Sequence, residues 1–258
     1  LRMMLVFRSF HYFLRDFAAM THSAPNVLER FLRYVQFDTQ SDETSAAAPS
    51  TAKQLKLAEA LKDELHQLGI ANAVIGQGGV VYAHIPASPS CEDLPAVGFI
   101  AHMDTSPDAS GLHVKPQIIR FDGTDVLLNQ TEGIRFPVER FPEIKKYIGE
   151  DVIFTDGTTL LGADDKSGIA AIMDMAAKIT ADPTIAHAKL CIAFTPDEEI
   201  GRGTANFDLE RFGADWAVTI DGGEVGTLEN ENFNAGSAVV DFQGVGVHPG
   251  SSKGKMVN

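Results

Sequence analysis

The chain has 258 residues, 44% of them apolar and 22% charged, enough for one large domain or one domain with part of another, and not a disordered composition. Its net charge of −14 opposes a nucleic-acid backbone, and no run of about 18 apolar residues is present to cross a membrane as a helix. Cys91 and Cys191 have no CxxC spacing, so neither a disulfide framework nor a thiolate zinc site is supported, and a reducing, cytoplasmic setting is the default expectation.

Residues 1–22 carry three arginines against one aspartate. Arg8 and Arg15 interrupt any signal-peptide core, and the segment is read as a non-native or unstructured extension upstream of a start at Met20. Residues 25–36 place Val27, Leu28, Phe31, Leu32 and Val35 on one helical face, with Pro25 suited to the first turn. Residues 41–50 read as a polar, Ala-rich loop. Residues 51–68 give a second amphipathic helix through Leu55, Ala58, Leu61, Leu65 and Leu68, ended by Gly69. Strands follow at 70–75 and 79–85 around a Gly-rich turn, and the apolar run 95–101 reads as a buried parallel strand. Residues 114–155 form a β-rich excursion. Residues 166–180 are an apolar helix, and 189–195 and 216–220 are two more buried strands. Alternating strands and helices predict an α/β fold with a mostly parallel central sheet flanked by helices. From 236 to 247 the pattern changes to that of a solvated antiparallel sheet. The expected division is therefore an extension at 1–22, a catalytic portion at 23–227, and the start of a second, smaller domain at 228–258, cut short at Asn258.

Four clusters follow predicted strand ends, the rim where open α/β sheets bind ligands. His102-Met103-Asp104 puts an imidazole and a carboxylate on one side of an extended chain, and an Asp is a good orienting partner for a ligating imidazole. Asp164-Asp165 stands directly before the apolar helix. Helix capping accounts for one of these aspartates; two are more than capping requires. Asp197-Glu198-Glu199 is either a solvated acidic loop or a set of carboxylates gathered around a cation. Asp221, in Ile220-Asp221-Gly222-Gly223-Glu224, taken alone could sit in a plain turn. Together these donors form the nitrogen and oxygen set that suits zinc, manganese or cobalt. His66, His84, His113 and His187 read as structural or surface residues.

In this order, HMDTSPD, GTTLLGADDKSGIAAI, FTPDEEIGRG, IDGGEVGTLENENFNAGSA and VHPGSSKGKMVN resemble the tripeptide-aminopeptidase branch of the M20 zinc metallopeptidase family. The resemblance runs from about Asn26 to Asn258. It implies a catalytic α/β domain with the start of an α+β lid or dimerisation domain. It implies that His102 and Asp221 ligate one zinc, that Asp164 bridges to a second, and that Glu199 ligates the second. Mn2+ or Co2+ would be possible substitutes. The Asp164–Asp165 peptide would be cis, Asp104 would orient the His102 side of the site, and Glu198 would act as general base and then general acid. His248 would reach a partner subunit's site in a homodimer and stabilise the oxyanion. Small peptides would be the substrates.

This division agrees with the chemistry of peptide hydrolysis. Coordination lowers the pKa of water from 15.7 toward about 7, and a carboxylate within reach carries its proton to the leaving amine. Adjacent glutamates cannot both point at one spot, so Glu198 and Glu199 divide into base and ligand. No histidine in this chain matches the family's final zinc ligand, so weak or absent activity is expected of these residues alone. A dipeptidase, carboxypeptidase or N-acyl-amino-acid deacylase on the same metal site is the nearest alternative. A non-catalytic metal-binding protein is a further one, although a structural site needs no base such as Glu198.

Overall fold

The structure, a computed structural model, describes residues 5–6, 25–223, 226–231, 236 and 238–244. Leu5–Val6 is a two-residue strand, β1. The first helix, α1 (Val27–Tyr34), opens on a capping box: the Asn26 side chain accepts from Glu29 N–H at 3.0 Å, and Glu29 accepts from Asn26 N–H at 2.9 Å. Asn26 rather than Pro25 therefore sets the start, and Pro25 lies outside the helix. Helix α2 (Gln54–Gln67) buries Leu57, Ala58, Leu61 and Leu65, and Gly69 leaves it with φ 86°.

Strands β2 (Val74–Ile75) and β3 (Val81–Ile85) form a hairpin. Strand β4 (Val97–His102) follows, then the excursion with β5 (Gln117–Arg120), β6 (Val126–Asn129), β7 (Ile134–Phe136) and β8 (Asp151–Phe154). There β8 pairs antiparallel with β5 and β1, β6 pairs with β7, and Phe121, Phe136, Ile144 and Phe154 make a separate small core. Helix α3 (Ala163–Ala181), β9 (Leu190–Thr195), the short α4 (Leu209–Phe212) and β10 (Trp216–Thr219) complete the described α-helices and strands; β9 is buried throughout as expected, but β10, expected to be buried, is largely exposed, with Trp216 at 54%.

The central sheet has five strands in the order β10-β4-β9-β3-β2. Its first three are parallel, as expected, but β3 runs antiparallel to both β9 and β2. The sheet is thus only partly parallel, which corrects the expectation of a mostly parallel one. The reason is local: five residues, 76–80, join β2 to β3, and so short a link can only reverse the chain. Helix α3 supplies the crossover between the parallel strands β4 and β9. The main core, including Phe31, Leu61, Ile169, Met173, Ile192 and Phe194, lies between the helices α1, α2 and α3 and one sheet face.

Contacts divide the chain between Asp221 and Gly222. Beyond that point the described residues form neither helix nor strand, so 238–244 lack the strand read into 236–247. Among the described residues no helix is long and apolar enough to cross a membrane.

Candidate metal centre

The parallel strands β10, β4 and β9 end on one rim, and the register His102↔Thr195 sets the ends of β4 and β9 side by side. His102 is the last residue of β4 and is 2% exposed. Its Nε2 lies 2.8 Å from Asp164 Oδ1, 3.7 Å from Glu198 Oε2 and 3.7 Å from Asp221 Oδ2. Its Nδ1 lies 3.1 Å from the Asp104 carbonyl oxygen and 3.3 Å from Asp104 Oδ1. One donor atom each from His102, Asp164 and Glu199 fall within 4.8 Å of one another, as do those from His102, Asp165 and Asp221. The described residues singled out in the sequence, His102, Asp104, Asp164, Glu198, Glu199 and Asp221, thus converge. His248 lies outside the described residues.

Three aspartates build the frame beneath this cluster. Asp104, fully buried, accepts the backbone N–H of Glu198 at 2.9 Å and of Glu199 at 3.1 Å. Asp165 accepts the backbone N–H of His102 at 3.1 Å and of Gly168 at 3.1 Å, joining the end of β4 to the start of α3. The bond to Gly168 is a helix cap, because Asp164 and Asp165 have non-helical backbone angles and regular helix begins after them. Capping therefore accounts for Asp165, and Asp164 is the one beside His102; the peptide between them is cis. Asp197, the third, is 4% exposed and is held by Ser50 and Gln54. It lies apart in role from its neighbours Glu198 and Glu199. Nothing in the local sequence separates the three, because the partners of Asp197 lie 143 and 147 residues away.

Crowding of the acids shows in their proton affinities. Burial alone would depress the His102 imidazole, but hydrogen bonds to Asp104 and Asp164 outweigh it and push the group up to about 11. Burial raises Asp165 to about 8, with the Asp221 charge adding to it. Burial, Asp164 and Glu198 together raise Asp221 to about 6. A cluster that takes up protons to relieve repulsion is one where a cation can take their place. The imidazole and carboxylate donors, with the second imidazole nitrogen fixed by a carbonyl and a carboxylate, fit a zinc-like divalent ion.

The fold is one shared with solved structures of peptidases. A tripeptidase from Staphylococcus aureus superposes with a TM-score of 0.53 at 24% identity, over 77% of this chain and 43% of that one. The aminopeptidase PepT from Bacillus cereus gives 0.53 at 23% identity, over 76% and 43%. No protein-family model matches the chain. In sequence it is a homologue of peptidase T: 56% identical over 234 residues to that of Desulfitobacterium hafniense strain Y51, and 54% over 233 residues to that of Clostridium acetobutylicum. Each match takes in 90% of this chain and 57% of the relative, so the chain spans little more than half the length of the relatives it matches.

Proposed function

We propose that this chain carries the metal-binding rim of a metallo-aminopeptidase that removes the N-terminal residue from tripeptides. The observation that carries this reading is the meeting of His102 Nε2 with Asp164, Glu198 and Asp221 within 3.7 Å at the ends of four different elements, β4, α3, β9 and β10. Likeness to proteins named peptidase T supports the substrate class. Unpaired Cys91 and Cys191 suit a reducing compartment.

In this reading His102, Asp164, Glu199 and Asp221 would hold zinc. Such an ion supplies Lewis acidity, making water a nucleophile near neutral pH and polarising a carbonyl. The remaining work belongs to the chain. Asp104 holds the His102 ring through Nδ1 and leaves Nε2 facing the acids. Through the amides of Glu198 and Glu199 the same carboxylate fixes the next two positions. Glu198, with a side chain 52% exposed, faces the open side of the cluster. It would take a proton from the attacking water and deliver it to the departing amine. Asp165 and Gly168 keep α3 against the end of β4, so that Asp164 stays at the imidazole. His248, through a homodimer, would add an oxyanion donor.

The test is Glu198→Gln. Turnover of a tripeptide should fall about 10²–10⁴-fold, while zinc content stays at the wild-type level. Empty metal sites in this variant would contradict the division between base and ligand. Dipeptides and N-acyl amino acids assayed beside the tripeptide decide the substrate class.

A further inference from the structure

We infer that Asp197 is a positioning residue, which sets where Glu198 and Glu199 stand by tying the turn after β9 to the start of α2. The inference rests on the roles proposed above for those two glutamates. Asp197 adopts the left-handed backbone, φ 60° and ψ 25°, which Asp and Asn tolerate better than other side-chain-bearing residues. Its Oδ2 accepts from Ser50 N–H at 2.7 Å, and its Oδ1 accepts from Ser50 Oγ at 2.5 Å and from Gln54 Nε2 at 2.6 Å. Its own N–H donates to Gln54 Oε1 at 3.2 Å. Gln54 is completely buried, so its amide brackets Asp197 in a single orientation.

The next two residues are gripped from the other side, where Asp104 receives both of their N–H groups. The segment 197–199 is therefore held on one side by Ser50 and Gln54, at the start of α2, and on the other by the buried Asp104 carboxylate. The turn also borders an open cavity of about 260 Å³ lined in part by Ala48, Pro196 and Arg202. Losing the Ser50 and Gln54 anchor frees the backbone just before the base, and a displacement of about 1 Å at a reacting group costs on the order of 10²-fold.

The experiment compares Asp197→Asn, Gln54→Glu and the double variant in the zinc-loaded protein. Asparagine keeps the left-handed turn but sets an NH2 group against donors. Glutamate at 54 sets two carboxylates face to face. In the double variant the amide introduced at position 197 donates to the carboxylate introduced at position 54, restoring the pairing with the charge moved across. Each single variant should lower kcat about 10–100-fold with KM and zinc content little changed, and the double variant should recover most of kcat. Hydrogen exchange of the Glu198 and Glu199 amides, read on the zinc-free chain, should speed up in the single variants and slow again in the double. Should Asp197→Asn not fold, Ser50→Ala removes one donor and should give the same changes at smaller size. Unaltered kcat and unaltered exchange in Asp197→Asn or Ser50→Ala, or no recovery in the double variant, overturns the inference. A wild-type chain that neither binds zinc nor cleaves tripeptides would sink the proposed function instead, and the amide exchange would still decide the role of Asp197.

Discussion

A hydrogen atom is all that fits on the Cα of Gly168. A Cβ built there would collide with the Ile220 carbonyl oxygen and with Asp165 Oδ1. Both neighbours matter to the rim: Ile220 directly precedes Asp221, and that Asp165 oxygen caps α3 by accepting the Gly168 N–H. Alanine ordinarily favours a helix over glycine by about 1 kcal/mol. Here the contact is with backbone, which yields poorly, and overpacking of this kind costs about 1–3 kcal/mol. Gly168→Ala should therefore lower the melting temperature despite its better helix propensity. By pushing Ile220 away it should also draw Asp221 from His102 and weaken zinc binding about tenfold. Thermal melts and zinc titration calorimetry check this, and a raised melting temperature would contradict it.

Between elements, the contact that fixes β4 from the face opposite α3 is also made possible by a glycine. A Cβ at Gly98 would collide with Phe212 Cζ, so the Phe212 ring rests directly on the β4 backbone. Phe212 is 4% exposed and packs edge-on against Phe207, their centroids 5.1 Å apart. Removing the ring leaves a hole over the sheet, and Phe212→Ala should cost about 3–5 kcal/mol. The rim lies at the far end of β4, so zinc affinity should suffer less than in Gly168→Ala. Urea denaturation with parallel zinc titration separates the two effects. These contacts also mark what could be read from the chain alone. The helix faces of α1 and α2 and the runs of β4 and β9 were legible because periodicity and apolar length are properties of neighbouring residues. The convergence of His102, Asp164, Glu199 and Asp221 on one rim was legible too, because each stands at or next to the end of a strand or the start of a helix. The antiparallel β3 was legible only through its turn length. The separate task of Asp197 was not legible, because it depends on Ser50 and Gln54, which folding alone brings near.

For the molecule as a whole, the acidic rim couples stability to both protons and metal. His102, Asp165 and Asp221 all hold protons more tightly in the fold than in the open chain, with folded values of about 11, about 8 and about 6. A group raised in this way stabilises the fold below its unfolded pKa and loses that contribution as pH rises through its folded one. For Asp165 the window runs from 3.8 to about 8, and for His102 from 6.5 to about 11. The metal-free chain should therefore melt at a lower temperature at pH 8 than at pH 6. Zinc reverses the slope. It must displace the His102 proton, so each unit rise in pH should tighten binding about tenfold per proton released. At a free zinc concentration about 100 times the dissociation constant the gain is about 2.7 kcal/mol, a rise of several degrees for a protein of this size. The net charge of −14 adds a long-range attraction for cations that salt weakens. The difference in melting temperature between zinc-loaded and chelator-treated protein should thus widen from pH 6 to pH 8 at constant free zinc. Scanning fluorimetry at the two pH values measures it, and a gap that stays constant or narrows would mean that zinc does not compete with protons at His102.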